Sequence, residues 1–309
     1  MAVLGKYELL SQLGAGSSGI VYRARDQVLG RQIALKVMRP ESQLDPEVAE
    51  RFRREARACA QLQHPNIVTV YDLGEAEGGA IYIAMELLAG IDLRTAIRQR
   101  TRLPVALKIQ AMALVCDALG HAHRHGIVHR DVKPSNLFLR AGGQPKILDF
   151  GIAKLATSVL TRTGKILGTP NYMAPEQITG QKCEARSDLF SVAIVAFEFL
   201  TGAHPFRAPF IPKRIVNDEP ESLCEADPAL PLQLQAALAR GMAKDPDLRF
   251  QTGEEFASAL REVLANGTWD SEENTTIPAS TLDDTGATTK TVVGPLDDNE
   301  TLVEHPESN

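Results

Sequence analysis

His129-Arg130-Asp131-Val132-Lys133-Pro134-Ser135-Asn136 is the stretch on which the reading of this chain turns. Asp131, Lys133 and Asn136 crowd a carboxylate, an ammonium and a carboxamide into one loop. Eighteen residues after Asp131 comes Asp149-Phe150-Gly151, preceded by the apolar run Lys146-Ile147-Leu148. A carboxylate at the end of a strand and followed by glycine is well placed to hold a hard cation. Each piece alone is ambiguous; their order along the chain is what carries information.

Upstream of this stretch the pattern changes character. Residues 7–13, 20–25 and 32–38 read as short strands separated by glycine-rich turns, and 67–72 and 80–86 as two more. Residues 46–62 have helical spacing. The expectation is a small sheet with one helix up to about residue 88. Beyond Gly90 the pattern is helical, over 104–125, 187–201, 232–243 and 253–264. A break in architecture there implies two lobes, and clefts between lobes are preferred ligand sites.

Leu13-Gly14-Ala15-Gly16-Ser17-Ser18-Gly19-Ile20-Val21 joins the first two of these strands. A lone GxGxxG is shared with dinucleotide-binding turns, but those lead from a strand into a helix. Here 20–25 alternates like a strand, so a hairpin is expected. Its glycines would let backbone N–H groups approach phosphates closely; an ordinary glycine-rich hairpin has the same pattern. Lys36 lies in Ile33-Ala34-Leu35-Lys36-Val37, where period-2 alternation puts Ala34, Lys36 and Met38 on one face. A lysine inside a strand needs a partner or an anionic ligand. The helix at 46–62 offers Glu55, on the same stripe as Phe52, Ala56 and Cys59. The pair either points lysine protons at phosphate or is purely structural.

Composition sets outer bounds. The chain has 309 residues, 44% hydrophobic and 5% aromatic, with a formal charge of −6, which does not suggest a nucleic-acid binder. Residues 268–309 hold ten acidic residues and one basic, Lys290, so the remainder is net +3. That acidic segment also holds nine threonines and few large apolar residues, so order is expected to fade there. The domain reading is therefore 1–88, 89–267 and an acidic, Thr-rich tail at 268–309. Cys59, Cys116, Cys183 and Cys224 form no CxxC pair, which suits a reduced cytoplasmic setting. Residues 1–10 lack the features of a secretory leader. The apolar run 189–200 is too short to span a bilayer, which takes about 20 apolar residues, and contains Glu198. No membrane span is expected.

With these motifs in hand, the chain resembles the eukaryotic-type (Hanks-type) serine/threonine protein kinases, especially their bacterial branch. The likeness runs from Tyr7 to Leu264. It rests on the glycine loop, the strand lysine, the helix glutamate, His129 to Asn136, Asp149-Phe150-Gly151, and Gly168-Thr169-Pro170-Asn171-Tyr172-Met173-Ala174-Pro175-Glu176, in the family's order. The resemblance implies an α+β, two-lobed protein-kinase fold: an N-lobe antiparallel sheet plus one helix, and a mainly helical C-lobe. It implies that ATP is the phosphoryl donor and Mg2+, with Mn2+ as an alternative, the metal. Residues 13–21 would cover the phosphates, with Lys36 on the α- and β-phosphates and Glu55 holding Lys36. Asp149 and Asn136 would hold the metal, Asp131 would orient the substrate hydroxyl, and Lys133 would support the γ-phosphate. Leu13, Val21, Ala34, Met85, Leu87 and Phe138 would wrap the adenine, with hinge backbone near Glu86 to Leu88. Phe138 is bulkier than the family's usual aliphatic floor.

Lys133 and Thr169 stand where Ser/Thr kinases differ from tyrosine kinases, and Ala174-Pro175-Glu176 argues for a protein substrate over a small molecule. Arg130 before Asp131 implies regulation by phosphorylation at Thr161 and Thr163, with Thr157 weaker; ordinary loop threonines are the bland alternative. The resemblance assigns Glu176 and Arg249 to a buried structural pair and Asp188 to a tether of the catalytic-loop backbone. The chain departs from the family at Ala193, where glycine is usual. It departs again at Pro209 and Pro212, which should shorten a substrate-docking helix. His121, His123, His125 and His129 invite a zinc reading, against which family packing weighs. Partner expectations are protein substrates, a homodimer for trans-autophosphorylation, and an FHA-like phosphothreonine-binding partner for the tail, whose rival is a solvated linker. The alternative function is a pseudokinase or scaffold, which predicts loss of Lys36, Asp131 or Asp149; all are present.

Overall fold

A computed structural model describes residues 2–16, 19–39, 46–76, 79–150, 170–267 and 269, with backbone only for 46, 47, 51 and 55. A six-stranded antiparallel sheet opens the chain: β1 (Val3–Leu4), β2 (Tyr7–Gly16), β3 (Gly19–Asp26), β4 (Gln32–Val37), β5 (Val70–Glu75) and β6 (Ile81–Met85), in the spatial order β1-β2-β3-β4-β6-β5. The glycine loop is a hairpin, as the strand alternation after it predicts: Gly14 pairs with Val21, and Gly16 with Gly19. A Cβ on Gly19 would sit 2.4 Å from the Val37 carbonyl oxygen, so only glycine lets β3 lie this close to β4.

Strand β4 alternates as expected, and each face serves a different core. Ala34 and Met38 join a cluster with Val21, Phe52, Ala56, Ile83, Met85, Phe138 and Leu148. Ile33 and Leu35 join Tyr7, Ala24, Tyr82 and Ala84 on the other side. Helix α1 (Pro46–Ala60) buries Phe52, Ala56 and Cys59, the predicted stripe.

The mainly helical reading beyond Gly90 holds, but apart from the strand end before Asp149 it does not mark out a further sheet. A second, three-stranded sheet is formed by β7 (Gly90–Asp92), β8 (Leu137–Arg140) and β9 (Pro145–Ile147). These strands are short and β8 and β9 are largely buried, so they show no polar–apolar alternation. Gly90 has φ 146°, and a Cβ there would lie 2.0 Å from the Leu139 carbonyl oxygen. The strand expected at 67–72 starts only at Val70. Its first residues bridge the two sheets: Val68 N–H donates to Ile147 C=O (2.9 Å), Ile147 N–H to Asn66 C=O (2.8 Å), and Asn66 Nδ2 to Pro145 C=O (2.8 Å).

The helical body holds α2 (Leu93–Arg98), α3 (Val105–Arg124), α4 (Pro175–Ile178), α5 (Ala185–Thr201), α6 (Ile211–Asn217), α7 (Leu223–Ala226), α8 (Leu232–Gly241) and α9 (Gly253–Asn266). Helix α3 is long and apolar enough to cross a bilayer, but it buries Ile109, Met112, Val115, Cys116 and Leu119 in the largest core cluster. It packs on α5 and α9. Buried Ala193, the departure from the family's glycine, faces Gly241, where an added Cβ would lie 2.8 Å from the Ala193 methyl. As Pro209 and Pro212 predict, α6 is short, and Pro212 stands in its first turn. Cys116, Cys183 and Cys224 are free thiols.

Candidate active site

The loop 129–136 is held from below by α5. In its first turn, buried Asp188 accepts from His129 N–H (2.8 Å) and Arg130 N–H (2.7 Å), and its Oδ2 also meets His123 Nε2 at 2.8 Å. The expected tether is thus present, with His123 added. Arg130 has φ 65°, the left-handed region that non-glycine residues enter only under constraint. His129 is fully buried, and burial holds its imidazole below the ordinary histidine range, so the ring is neutral. Its Nδ1 accepts from Asp131 N–H (3.2 Å), and its ring lies 4.7 Å from that of Phe150.

Around Asp131 the three polar groups of the motif converge. Lys133 Nζ lies 3.4 Å from Asp131 Oδ2. Asn136 Nδ2 donates to the Asp131 carbonyl (2.8 Å) and approaches Oδ2 at 3.4 Å. Leu148 N–H donates to Asn136 C=O (2.8 Å), tying the loop to the strand end that carries Asp149. Asp149 Oδ2 in turn lies 2.8 Å from Lys36 Nζ. Lys36 is buried, whereas the Asp149 side chain keeps 26% exposure. Lys36 sits opposite Val21 on β3 and Ile83 on β6.

Of the residues expected around adenine, Val21, Ala34, Met85 and Phe138 are buried in one cluster, with Leu13 and Leu87 against it. Glu86 does something the motif reading missed. Its N–H donates to Thr69 C=O (3.0 Å), its Oε1 accepts from Thr69 N–H (2.7 Å), and it pairs with buried Lys146. Lys146 Nζ also donates to Ile67 C=O (3.0 Å). Any hinge hydrogen bond from Glu86 must therefore use its carbonyl. The signal was a lysine in an otherwise apolar run three residues before Asp149, which should have prompted a search for its partner.

Ser17, Ser18, Gly151, Thr157, Thr161, Thr163, Gly168, Thr169, the side chain of Glu55 and the tail beyond Trp269 lie outside the described residues. The structural pair is clear: Arg249 binds Glu176 through both amino groups, at 2.8 and 2.9 Å. The zinc reading of the histidines finds no support. His123 and His129 are engaged as above, His121 lies between the rings of His64 and His125, and among the described residues no three or more His, Cys, Asp or Glu side chains converge as a metal-ligand group.

Residues 7–253 match the protein kinase domain. The chain belongs to the protein kinase family. This kinase is 40% identical over 267 residues to the serine/threonine-protein kinase PknB of Mycobacterium leprae, covering 84% of this chain and 43% of that one. It is 36% identical over 266 residues to PrkC of Bacillus subtilis, covering 85% and 41%. The crystal structure of the Mycobacterium tuberculosis PknI kinase domain matches with a TM-score of 0.68 at 32% identity, over 85% of this kinase and 98% of that chain. This kinase spans less than half the length of PknB and PrkC.

Proposed function

We propose that this chain transfers the γ-phosphoryl group of ATP to serine or threonine hydroxyls of protein substrates. The observation that carries the reading is the convergence of Asp131, Lys133 and Asn136 on one carboxylate, tied by a backbone hydrogen bond to the strand end where Asp149 meets Lys36. Asp131 accepts a hydrogen bond from the attacking hydroxyl and aims it. Lys133, beside it, balances charge that develops on the transferred group. Lys36 faces the α- and β-phosphates. Asp149 and the Asn136 carboxamide oxygen are hard donors that suit Mg2+, with Mn2+ as an alternative. When bound, the metal would neutralise phosphate charge. The pseudokinase alternative finds no missing residue to rest on.

The finer assignments are part of the same proposal. Residues 1–88 and 89–267 are the two lobes. Thr161 and Thr163 take the regulatory phosphates, added in trans within a homodimer. Arg130 is the receptor for those phosphates: its Nε is buried without a hydrogen-bond partner among the described residues. Residues 268–309 present phosphothreonine to an FHA-like partner. The free thiols of Cys116, Cys183 and Cys224 support a reducing, cytoplasmic compartment.

The test uses the purified chain, γ-labelled ATP and a generic acceptor protein, followed by phosphoamino-acid analysis. Label should appear on serine and threonine, and Asp131→Asn should lower the rate by about 10²–10⁴-fold. Failure to bind magnesium nucleotide, or equal turnover by Asp131→Asn, would overturn the reading.

A further inference from the structure

Gln177 is a residue to which neither the motif reading nor the family match assigns a role. It lies in α4, next to Glu176, and its side-chain amide makes two hydrogen bonds in opposite directions. Its Oε1 accepts from Ala174 N–H (3.0 Å), and its Nε2 donates to the Arg130 carbonyl (3.1 Å). The orientation of this amide is fixed by chemistry, because Ala174 N–H can only donate and Arg130 C=O can only accept.

The second bond completes a clamp. Arg130 precedes Asp131 and holds φ at 65°. Its N–H is fixed by Asp188 Oδ1 at 2.7 Å, and its C=O by Gln177. The peptide linking Arg130 to Asp131 therefore has its carbonyl end pinned to α4, and the whole of Arg130 is held between α4 and α5. Both anchors belong to one rigid frame. Glu176, adjacent to Gln177, bonds Ser187 Oγ (2.6 Å) and Arg249, and Ser187 is adjacent to Asp188. A residue held in a sparsely populated backbone region stays there only when its surroundings over-determine it. Without Gln177 the Arg130 carbonyl is released, and the peptide leading into Asp131 keeps only the longer bond from Asp131 N–H to His129 Nδ1 (3.2 Å); the direction of Asp131 sets the reaction geometry.

We propose that Gln177 is a positioning residue for phosphoryl transfer. It transmits the anchored end of the 170–176 segment to the peptide that aims Asp131. The idea rests on the kinase reading above and goes beyond it in assigning this role to a side chain outside the set proposed there to meet nucleotide, metal or substrate.

The two bonds can be separated by experiment. Gln177→Glu keeps an acceptor for Ala174 N–H, and a carboxylate suits a helix N-terminus. It removes the donor to Arg130. A merely structural role predicts that this variant behaves as wild type. Positioning predicts a kcat about tenfold lower, since small misplacements of reacting groups are costly, with KM for ATP and Tm unchanged. Gln177→Met, which keeps the volume and loses both bonds, should match that kcat loss and also lower Tm; it serves as the kinetic test should the Glu variant not fold. The proposal is overturned if either folded variant keeps kcat within twofold, or if kcat loss simply tracks Tm loss. An inactive wild-type chain would instead overturn the kinase reading, and this inference with it.

Discussion

The Glu176–Arg249 pair and the Lys36–Asp149 pair each bury charge, but one is saturated and the other is open. All five N–H donors of Arg249 have acceptors: Nε donates to Ala243 C=O, and the two amino groups divide their bonds among Glu176, Arg186 C=O and Lys244 C=O. Glu176 also accepts from Ser187 Oγ. Arg249 has no exposed side-chain surface and Glu176 has 7%. Lys36 Nζ meets Asp149, whose side chain keeps about a quarter of its surface exposed. A pair with all five guanidinium protons and both carboxylate oxygens engaged has nothing left for a ligand. A pair whose carboxylate still faces solvent can receive one. Degree of satisfaction therefore separates the structural pair from the chemical one.

The largest expected effect follows from the saturated pair. Arg249→Met strands a buried carboxylate and should cost about 3–5 kcal/mol of unfolding free energy, measured by urea denaturation. The pair also has a pH signature. Burial pushes the Glu176 carboxyl up, but hydrogen bonds from Arg249 and Ser187 outweigh it, and the group sits below the ordinary carboxylate range. A carboxylate depressed in the folded state stabilises fully above its unfolded pKa, about 4.3, and loses that stabilisation as pH falls through the folded value. The wild-type chain should therefore lose stability more steeply than Glu176→Gln on acidification below about pH 4. Parallel acid profiles would mean that the pair is not the coupled unit described here.

Lys36→Met probes the open pair and should reverse the pattern. The loss is in transfer, about 10²–10³-fold, as for removal of one preorganised charge from a reaction site. Stability should change by only about 1 kcal/mol, because partly exposed Asp149 can hydrate once its partner is gone. If Lys36→Met instead unfolded the chain as readily as Arg249→Met, the pair would be a structural ion pair, and the comparison would break at its functional end.

The parts of the molecule legible in the sequence are those whose signal is local. The glycine hairpin, the α1 stripe of Phe52, Ala56 and Cys59, and the long helices all follow from periodicity and turn chemistry within about 20 residues. The Asp131–Lys133–Asn136 convergence was legible because the three groups share one loop. The roles of Glu176, Arg249 and Asp188 came from resemblance alone, since Glu176 and Arg249 lie 73 positions apart. Three features could not be placed from local signals, although Lys146 in its apolar run before Asp149 hinted at one of them. The β7–β8–β9 sheet has strands too short and too buried to alternate. The Glu86–Lys146 contact spans 60 positions. Gln177 reaches Arg130 across 47 positions, and glutamine in a helix is unremarkable in composition. Such contacts are set by how elements pack, which no single window of sequence contains.

The smallest effect sharpens the comparison by holding geometry fixed and changing exposure. Arg261 on α9 meets Asp117 on α3 through both amino groups, much as Arg249 meets Glu176. Here, however, the side chains are 51% and 25% exposed. Water competes for these donors, and salt screens the charges over about 10 Å at 0.1 M. Asp117→Asn should cost no more than about 1 kcal/mol in urea denaturation, and the difference should shrink at 1 M salt. A cost near that of Arg249→Met would mean that fork geometry alone sets the strength of these pairs. Exposure and satisfaction would then no longer distinguish the frame from the site.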